Sequence, residues 1–245
     1  MRRGDFARKE AGMHQVMQQF KNRLLASLPE PELEILEPHL TLVPLPQRKV
    51  LLDEKLSCGY FLESGIASTV VTLISGETIE VGAAGSEGLA GLSILLGARE
   101  LLGQTFMQVG GSGFRISAAH LREAFDHCTE LRQRILRFMQ AFLVQVAQTA
   151  ACNRVHNIDE RLARWLLTYH DRAGSNQLLL THDFLAQMLG APRTTVTLAV
   201  GDLQRAGLIA GQRGTILIVD HRRLERAACE CYGAVREAYR HLHVL

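Results

Sequence analysis

The chain has 245 residues, with 27 Lys and Arg against 25 Asp and Glu, for a formal charge of +2. That length is enough for two domains with separate cores. The near-neutral balance excludes nucleic-acid binding through bulk charge, though a site-specific dimer needs only a local basic footprint. Nearly half the residues are apolar, and no apolar run approaches the ~18–20 residues of a membrane span, so a soluble globular protein with no membrane partner is expected. The opening MRRGDFARKEAG is basic but leads into no apolar core, unlike a secretory leader. The five cysteines (Cys58, Cys128, Cys152, Cys229, Cys231) are scattered and contain no Cys-x-x-Cys pair. This fits a cytoplasmic location and argues against a disulfide framework or a structural zinc site. On one continuous helix Cys229 and Cys231 would stand about 200° apart, too far round to clasp one metal. They are read as packing residues, with a redox role as the alternative, and neither a metal nor a cofactor is expected.

Residues 1–12 read as a loose tail. Met13 to Leu28 shows helical spacing and is stopped by Pro29 and Pro31, and a second short helix is expected through residues 32–40. From Leu42 to Ile116 the runs are short, alternating or β-branched, and broken by glycines, which predicts an antiparallel roll or barrel. Gly76-Glu77 suits the turn of one hairpin. Gly85 to Gly97 interrupts the strands with a short helix or turn.

From about Ala118 to His170 the chain reads as helical. Leu131, Ile135, Phe138 and Phe142 form one apolar stripe; Leu136, Met139, Leu143, Val146 and Ala150 form a second beside it. A helix apolar over so wide an arc has two surfaces to bury. One would pack on its own roll and the other on the same helix of a second subunit, with Leu131, Ile135, Phe138 and Phe142 expected at the dimer interface. The alternative is a helix buried in a monomer, but some 28 residues make about 42 Å, long for one small domain. In the next segment Leu162, Trp165, Leu166 and Tyr169 face a second core, and a polar loop RAGSNQ follows.

Leu180 to Ile209 then reads as two helices joined by a tight turn. Thr181 suits the first N-cap, and Phe184, Leu185, Met188 and Leu189 follow at helical spacing. Gly190 ends that helix and Pro192 opens the next. In the second helix Val196, Val200 and Leu203 face inward, leaving Arg193, Thr194, Thr197 and Leu198 outward. This is the layout of a DNA-reading helix-turn-helix. LIAGQRGTILIVD, with a turn at Gln212-Arg213-Gly214, reads as a β-hairpin wing behind it. A last helix is expected from Leu224 to Leu242 and is given only a packing role.

LTHDFLAQMLGAPRTTVTLAVGDLQRAGLI followed by RGTILIVD resembles the DNA-binding end of the Crp/Fnr family of bacterial transcription regulators. The resemblance implies an α+β fold. Residues 1–125 would form an N-terminal arm and antiparallel β-roll of the cyclic-nucleotide-binding-like jelly-roll type. Residues 126–157 would be the dimerisation helix and 158–245 the winged helix-turn-helix domain, hinged at Asn157 to Glu160. It also implies where a cyclic nucleotide would bind. The family's ribose-holding Gly-Glu corresponds to Gly91-Leu92, its phosphate-holding Arg-Ser to Gln104-Thr105, and its base-contacting Thr-Ser to Val146-Ala147. The carboxylate, guanidinium and hydroxyls are absent, so control by cyclic AMP is not expected. The roll is better suited to an unknown apolar effector or to none. No cysteine precedes Cys58 for an iron–sulfur cluster, and no histidine lies between His39 and His120 for a haem or cupin-type metal.

The expected function is that of a homodimeric, sequence-specific DNA-binding regulator reading a palindromic duplex, with RNA polymerase a candidate further partner. Arg193 is the leading base reader, since an arginine there can grip guanine O6 and N7 together. Thr194, Thr197 and Leu198 are the other base contacts; Thr181, His182, Thr195, Gln212 and Arg213 are placed on phosphates. Two alternatives stand: a β-roll small-molecule-binding protein or enzyme with a helical oligomerisation module, and a winged helix that binds protein. No catalytic set supports the enzyme.

Overall fold

A computed structural model describes residues 20–52, 56–98, 103–211 and 214–241. The expected helix over 13–28 falls partly outside these. Its described part is one turn, α1 (Arg23–Ala26), which begins at a fully buried Asn22. The Asn22 side chain accepts from the Leu25 amide at 3.3 Å and donates to the Leu62 and Gly88 carbonyls at 3.0 and 2.8 Å, riveting the arm to the domain behind it. In α2 (Glu30–Leu36) Pro31 sits in the first turn, where its missing N–H leaves no carbonyl unpaired.

Eight strands follow: β1 (Thr41–Leu45), β2 (Val50–Leu52), β3 (Cys58–Leu62), β4 (Ile66–Thr72), β5 (Thr78–Ala84), β6 (Leu89–Ala90), β7 (Gln104–Val109) and β8 (Gly111–Ser117). They make two four-stranded antiparallel sheets, ordered β1-β8-β3-β6 and β2-β7-β4-β5. Phe61, Leu62, Leu89 and Met107 fill the space between them. The β4–β5 hairpin closes as expected around Gly76, whose φ of 89° suits a residue without Cβ. The interruption expected near residue 90 is α3 (Leu92–Leu95).

After α4 (Ala118–His127) the backbone breaks at Cys128 and restarts as α5 (Thr129–Val155), whose first amides are capped by Glu32 of α2 at 3.0 and 2.9 Å. By length and composition α5 could cross a bilayer, but it lies along the roll and buries one face there. That face carries Leu131, Ile135 and Phe138, all fully buried, and the half-buried Phe142. The two rings press on Gly88 and Gly82, where an added Cβ would come within 2.4 and 2.7 Å of them. The dimer role expected of Leu131, Ile135, Phe138 and Phe142 is therefore corrected. Side chains locked between α5 and its own sheets cannot reach a second subunit. The solvent-facing stripe is Leu136, Leu143, Ala147 and Ala150, with polar Gln140 among them.

At His156-Asn157 the chain turns. Asn157 and Glu160 form a reciprocal capping box that starts α6 (Ile158–Ala173). A strand where only polar loop was expected, β9 (Gln177–Leu179), precedes α7 (His182–Leu189) and α8 (Arg193–Arg205). With β10 (Ile209–Ala210) and β11 (Thr215–Ile218) it forms a three-stranded wing sheet, β10-β11-β9. The single helix expected from Leu224 to Leu242 is also corrected. Its described part is α9 (His221–Ala227) and α10 (Cys231–His241), separated where Ala228 turns extended at ψ 154°. The break lets α10 fold back along α5.

Among the described residues two large apolar cores result, and neither respects the division between roll and C-terminal region. Val235 and Tyr239 of α10 join the roll's core, while Ile66, Val70 and Ala83 of the roll join the core built on α6 to α8. A buried polar layer runs through the junction. Arg172 pairs with Glu87 at 2.7 Å and donates to Gln145 Oε1 at 2.9 Å, an oxygen that also accepts from Tyr239 at 2.8 Å. Beside it, Glu80 of β5 accepts from Trp165 Nε1 at 3.1 Å and from the Tyr169 hydroxyl, which also meets Ser68 at 2.7 Å. Trp165 and Tyr169 stack at 3.8 Å.

Burial drives the Glu80 carboxyl above its ordinary range, more than the bonds from Tyr169, Ser68 and Trp165 and the charge of Arg164 draw it down. The folded protein therefore holds the Glu80 proton more tightly than the unfolded chain. This contribution to stability is full below the ordinary carboxylate value and is lost as pH rises from there to the raised one. In denaturant melts across that window, Glu80→Gln should lose less stability than the parent as pH increases. Parallel curves for the two proteins would place the Glu80 proton elsewhere.

Candidate nucleic-acid interface

The two helices of the motif are set by local rules. Thr181 accepts from the Phe184 amide at 3.2 Å to start α7. Gly190 ends it in the left-handed conformation, φ 57° and ψ 47°, its amide donating to the Ala186 and Gln187 carbonyls. Pro192 stands as the N-cap of α8, one position earlier than a first-turn proline, in an extended conformation. Val196, Val200 and Leu203 are buried as their spacing requires, and they pin α8 across α7 and α6.

What remains outward on α8 is the expected set. Arg193, Thr194 and Thr197 are exposed, and Leu198 is 67% exposed, a large apolar side chain held in water. Thr195 is half-buried, and Thr181 lies exposed at the start of α7 beside the wing, its methyl facing Gly214. Gln212 and Arg213, expected on phosphates, lie outside the described residues.

Two contacts pre-set this face, and neither is readable from helical spacing. Arg193 Nη1 lies 3.2 Å from Asp183 Oδ1 across the turn, both side chains 66% exposed. A pair so open to solvent is worth about 0–1 kcal/mol, so the guanidinium is steered yet can be released at little cost. His182 Nδ1 lies 3.0 Å from Thr197 Oγ1, tying the start of α7 to the middle of α8. His182 thus holds an outward hydroxyl of α8 in place.

The turn itself rests on the roll. Gly190 packs on Ile79 of β5, where a Cβ would come within 2.9 Å of the isoleucine side chain. The tip of the β4–β5 hairpin and residues Ala186 to Pro192 face each other across a cleft of about 450 Å³. The direction in which α8 points is therefore tied to the position of one hairpin of the N-terminal domain.

A second cavity, about 220 Å³, lies between the roll and α5. Gly91, Leu92 and Thr105, the positions matched to the family's ribose and phosphate contacts, line it together with Leu89, Met139 and Phe142. Gln104 is exposed instead, and neither Val146 nor Ala147 lines it. Among the described residues its only polar side chains are Thr69, Ser93 and Thr105, and no charged group enters it.

Comparison with known proteins bears on the whole chain. Residues 160–227 match the Crp-like helix-turn-helix domain. The CRP-like cAMP-activated global transcriptional regulator of Mycobacterium tuberculosis is 26% identical over 189 residues, covering 69% of this chain and 83% of the relative. Among solved structures, a Crp/Fnr-family protein of Eubacterium rectale superposes with a TM-score of 0.67 at 19% identity, over 84% of this chain and 97% of that one. FixK2 of Bradyrhizobium japonicum gives 0.66 at 15% identity, over 78% and 98%. The c-di-GMP responsive regulator CLP of Xanthomonas campestris gives 0.65 at 16%, over 78% and 99%. At these identities the solved structures speak to the fold alone.

Proposed function

We propose that the chain is a transcription regulator of the Crp/Fnr type, a homodimer that reads a palindromic DNA site without a cyclic-nucleotide signal. The observation that carries this reading is the outer face of α8. There an arginine, two threonines and an exposed leucine project from the N-terminal half of a helix whose other face is buried. Arg193 can trade Asp183 for guanine O6 and N7, Thr194 and Thr197 can bond base edges, and Leu198 can cover a thymine methyl. Thr181 at the α7 N-terminus, His182 and Thr195 serve the backbone, with Gln212 and Arg213 as further phosphate contacts.

The dimer is proposed to form through the free stripe of α5. Leu136, Gln140, Leu143, Ala147 and Ala150 recur at spacings of four and three, the a/d repeat of a two-stranded coiled coil. Alanines toward the C-terminal end let the helices approach closely there. RNA polymerase remains a candidate further partner.

Cyclic AMP, named for the Mycobacterium relative, carries a phosphate that needs a positive partner or a set of aimed N–H groups. The cavity here supplies three hydroxyls and apolar walls. It is also smaller than the roughly 300–1,000 Å³ of ordinary ligand pockets, which suits a small apolar effector or none.

Four measurements test these readings. Selection from random duplexes should return a palindrome with half-site centres about 34–36 Å apart. Arg193→Ala should cost about 1–3 kcal/mol of discrimination at one guanine per half-site, while salt-sensitive binding to any duplex persists; an unchanged consensus would remove Arg193 from base reading. Leu136→Glu with Leu143→Glu should sediment as a folded monomer that gel-shifts no palindrome, and a dimer of undiminished affinity would place the interface elsewhere. Calorimetric titration with cyclic AMP should give no heat at micromolar concentration; a saturable isotherm there overturns the assignment of the signal.

A further inference from the structure

Cys152, His156, Cys229 and Cys231 come together where α5 ends. One ligand-type atom from each lies within 4.8 Å of all the others. Cys152 and His156 are four residues apart at the C-terminal end of α5, so they share a face. Cys229 stands in the break between α9 and α10 and Cys231 opens α10, so the two thiols are not separated by helical rotation, contrary to the expectation for one continuous helix. Cys152 Sγ is 3.5 Å from Cys229 Sγ, and Cys231 Sγ is 3.6 Å from His156 Nδ1. Bonds of about 2.3 Å to sulfur and 2.0–2.1 Å to nitrogen in a tetrahedron imply edges of about 3.8 and 3.6 Å.

Buried cysteines ordinarily pack as small apolar residues. Three features set these apart. The first is the histidine itself. It turns Nδ1 toward the thiols and its Nε2 to Glu230 at 3.1 Å, the carboxylate–imidazole arrangement that orients metal-bound histidines. The second is Gln148, one turn before Cys152, whose amide donates to Cys231 Sγ at 3.2 Å, a bond that favours a thiolate. The third is charge. Arg161 and Arg164 of α6 stand near Cys152, each with a buried Nε lacking a partner, and neither forms an ion pair among the described residues. Three thiolates with one divalent cation carry a net negative charge, and these guanidinium groups are placed to balance it.

We propose that Cys152, His156, Cys229 and Cys231 form a Cys3His site for a thiophilic divalent cation of the zinc type. Binding exchanges three thiol protons, released to solvent, for three metal–sulfur bonds, with no change of oxidation state. The site joins the end of the dimerisation helix to α10 across the turn that leads into α6. Metal there fixes the angle between the long helix and the DNA-binding region, and its removal frees that joint. The proposal goes beyond the DNA-binding reading and stands or falls separately from it.

The test uses the full-length chain, stripped with chelator and kept reduced without oxygen, titrated with Co²⁺ and then Zn²⁺. One cobalt per chain is expected, with thiolate-to-cobalt charge-transfer absorption and the strong visible bands of a tetrahedral centre, both abolished by stoichiometric zinc. Cys229→Ser and Cys231→Ser should each lose the charge-transfer absorption, whereas Cys58→Ser and Cys128→Ser should keep it. Glu230 is exposed and no ligand, so Glu230→Gln should leave the fold intact and weaken cobalt binding about 10–100-fold. Absence of thiolate charge transfer in the reduced parent protein overturns the proposal. So does its retention in a Cys152→Ser, Cys229→Ser double variant, or recovery of Cys152 and Cys229 only as a disulfide in a protein that takes up no cobalt.

Discussion

The burial of two carboxylates, Glu80 and Glu87, between the roll and α6 is the constraint on which the arrangement of the whole molecule depends. Neither could be taken out of water alone, because an uncompensated buried charge costs several kcal/mol. Glu87 is met by Arg172 and by the Gly85 amide at 3.0 Å; Glu80 is met by Trp165, Tyr169 and a raised affinity for its own proton. Arg172, Trp165 and Tyr169 all lie on one helix, α6. Satisfying the two acids therefore dictates how the C-terminal region sits on the N-terminal one. Gln145 of α5 and Tyr239 of α10 complete the layer, so four separate elements meet at one polar seam. Hydrogen-bonded polar contacts of this kind are directional in a way that apolar packing is not, and they select one orientation among many that would bury similar area.

That seam sets the roll–helix cavity, the polar layer and the turn before α8 on one strand. β5 carries Ala84 on the wall of the roll–helix cavity, Glu80 in the polar layer, and Ile79 under Gly190 at the turn between the reading helices. A displacement of β5 caused by filling the cavity would reach both α6 and the start of α8 without crossing a flexible linker. The physical basis is close packing: glycines at 82 and 88 let the Phe142 and Phe138 rings touch the sheet beside the cavity.

The C-terminal helix has a place in this scheme that its sequence did not disclose. By folding back it puts Tyr239 into the polar layer and brings Cys229 and Cys231 to the end of α5. Extending it straight from α9 would scatter these groups. The break at Ala228 to Glu230 is thus what creates the Cys3His cluster, and it also brings Glu230 to His156.

Much was legible in the sequence because it follows from short-range periodicity. The inward set Val196, Val200 and Leu203, the outward set Arg193, Thr194, Thr197 and Leu198, the cap at Thr181 and the left-handed Gly190 are all consequences of 3.6 residues per turn and of one residue's backbone freedom. The alternation and glycine spacing of residues 42–116 likewise sufficed for an antiparallel roll. Periodicity did not say which of the two apolar stripes of α5 meets the roll, because both are apolar and only the glycines opposite Phe138 and Phe142 decide between them. Nor did it show that Glu80 and Glu87 would be buried, that β9 would find a partner in β11, or that four scattered ligand-type residues would converge. Each of those depends on groups tens of residues apart. What the sequence by itself determined was the kind of each element and the face it turns inward. Only the tertiary structure decided which faces meet, since that rests on distant side chains that must share one buried space.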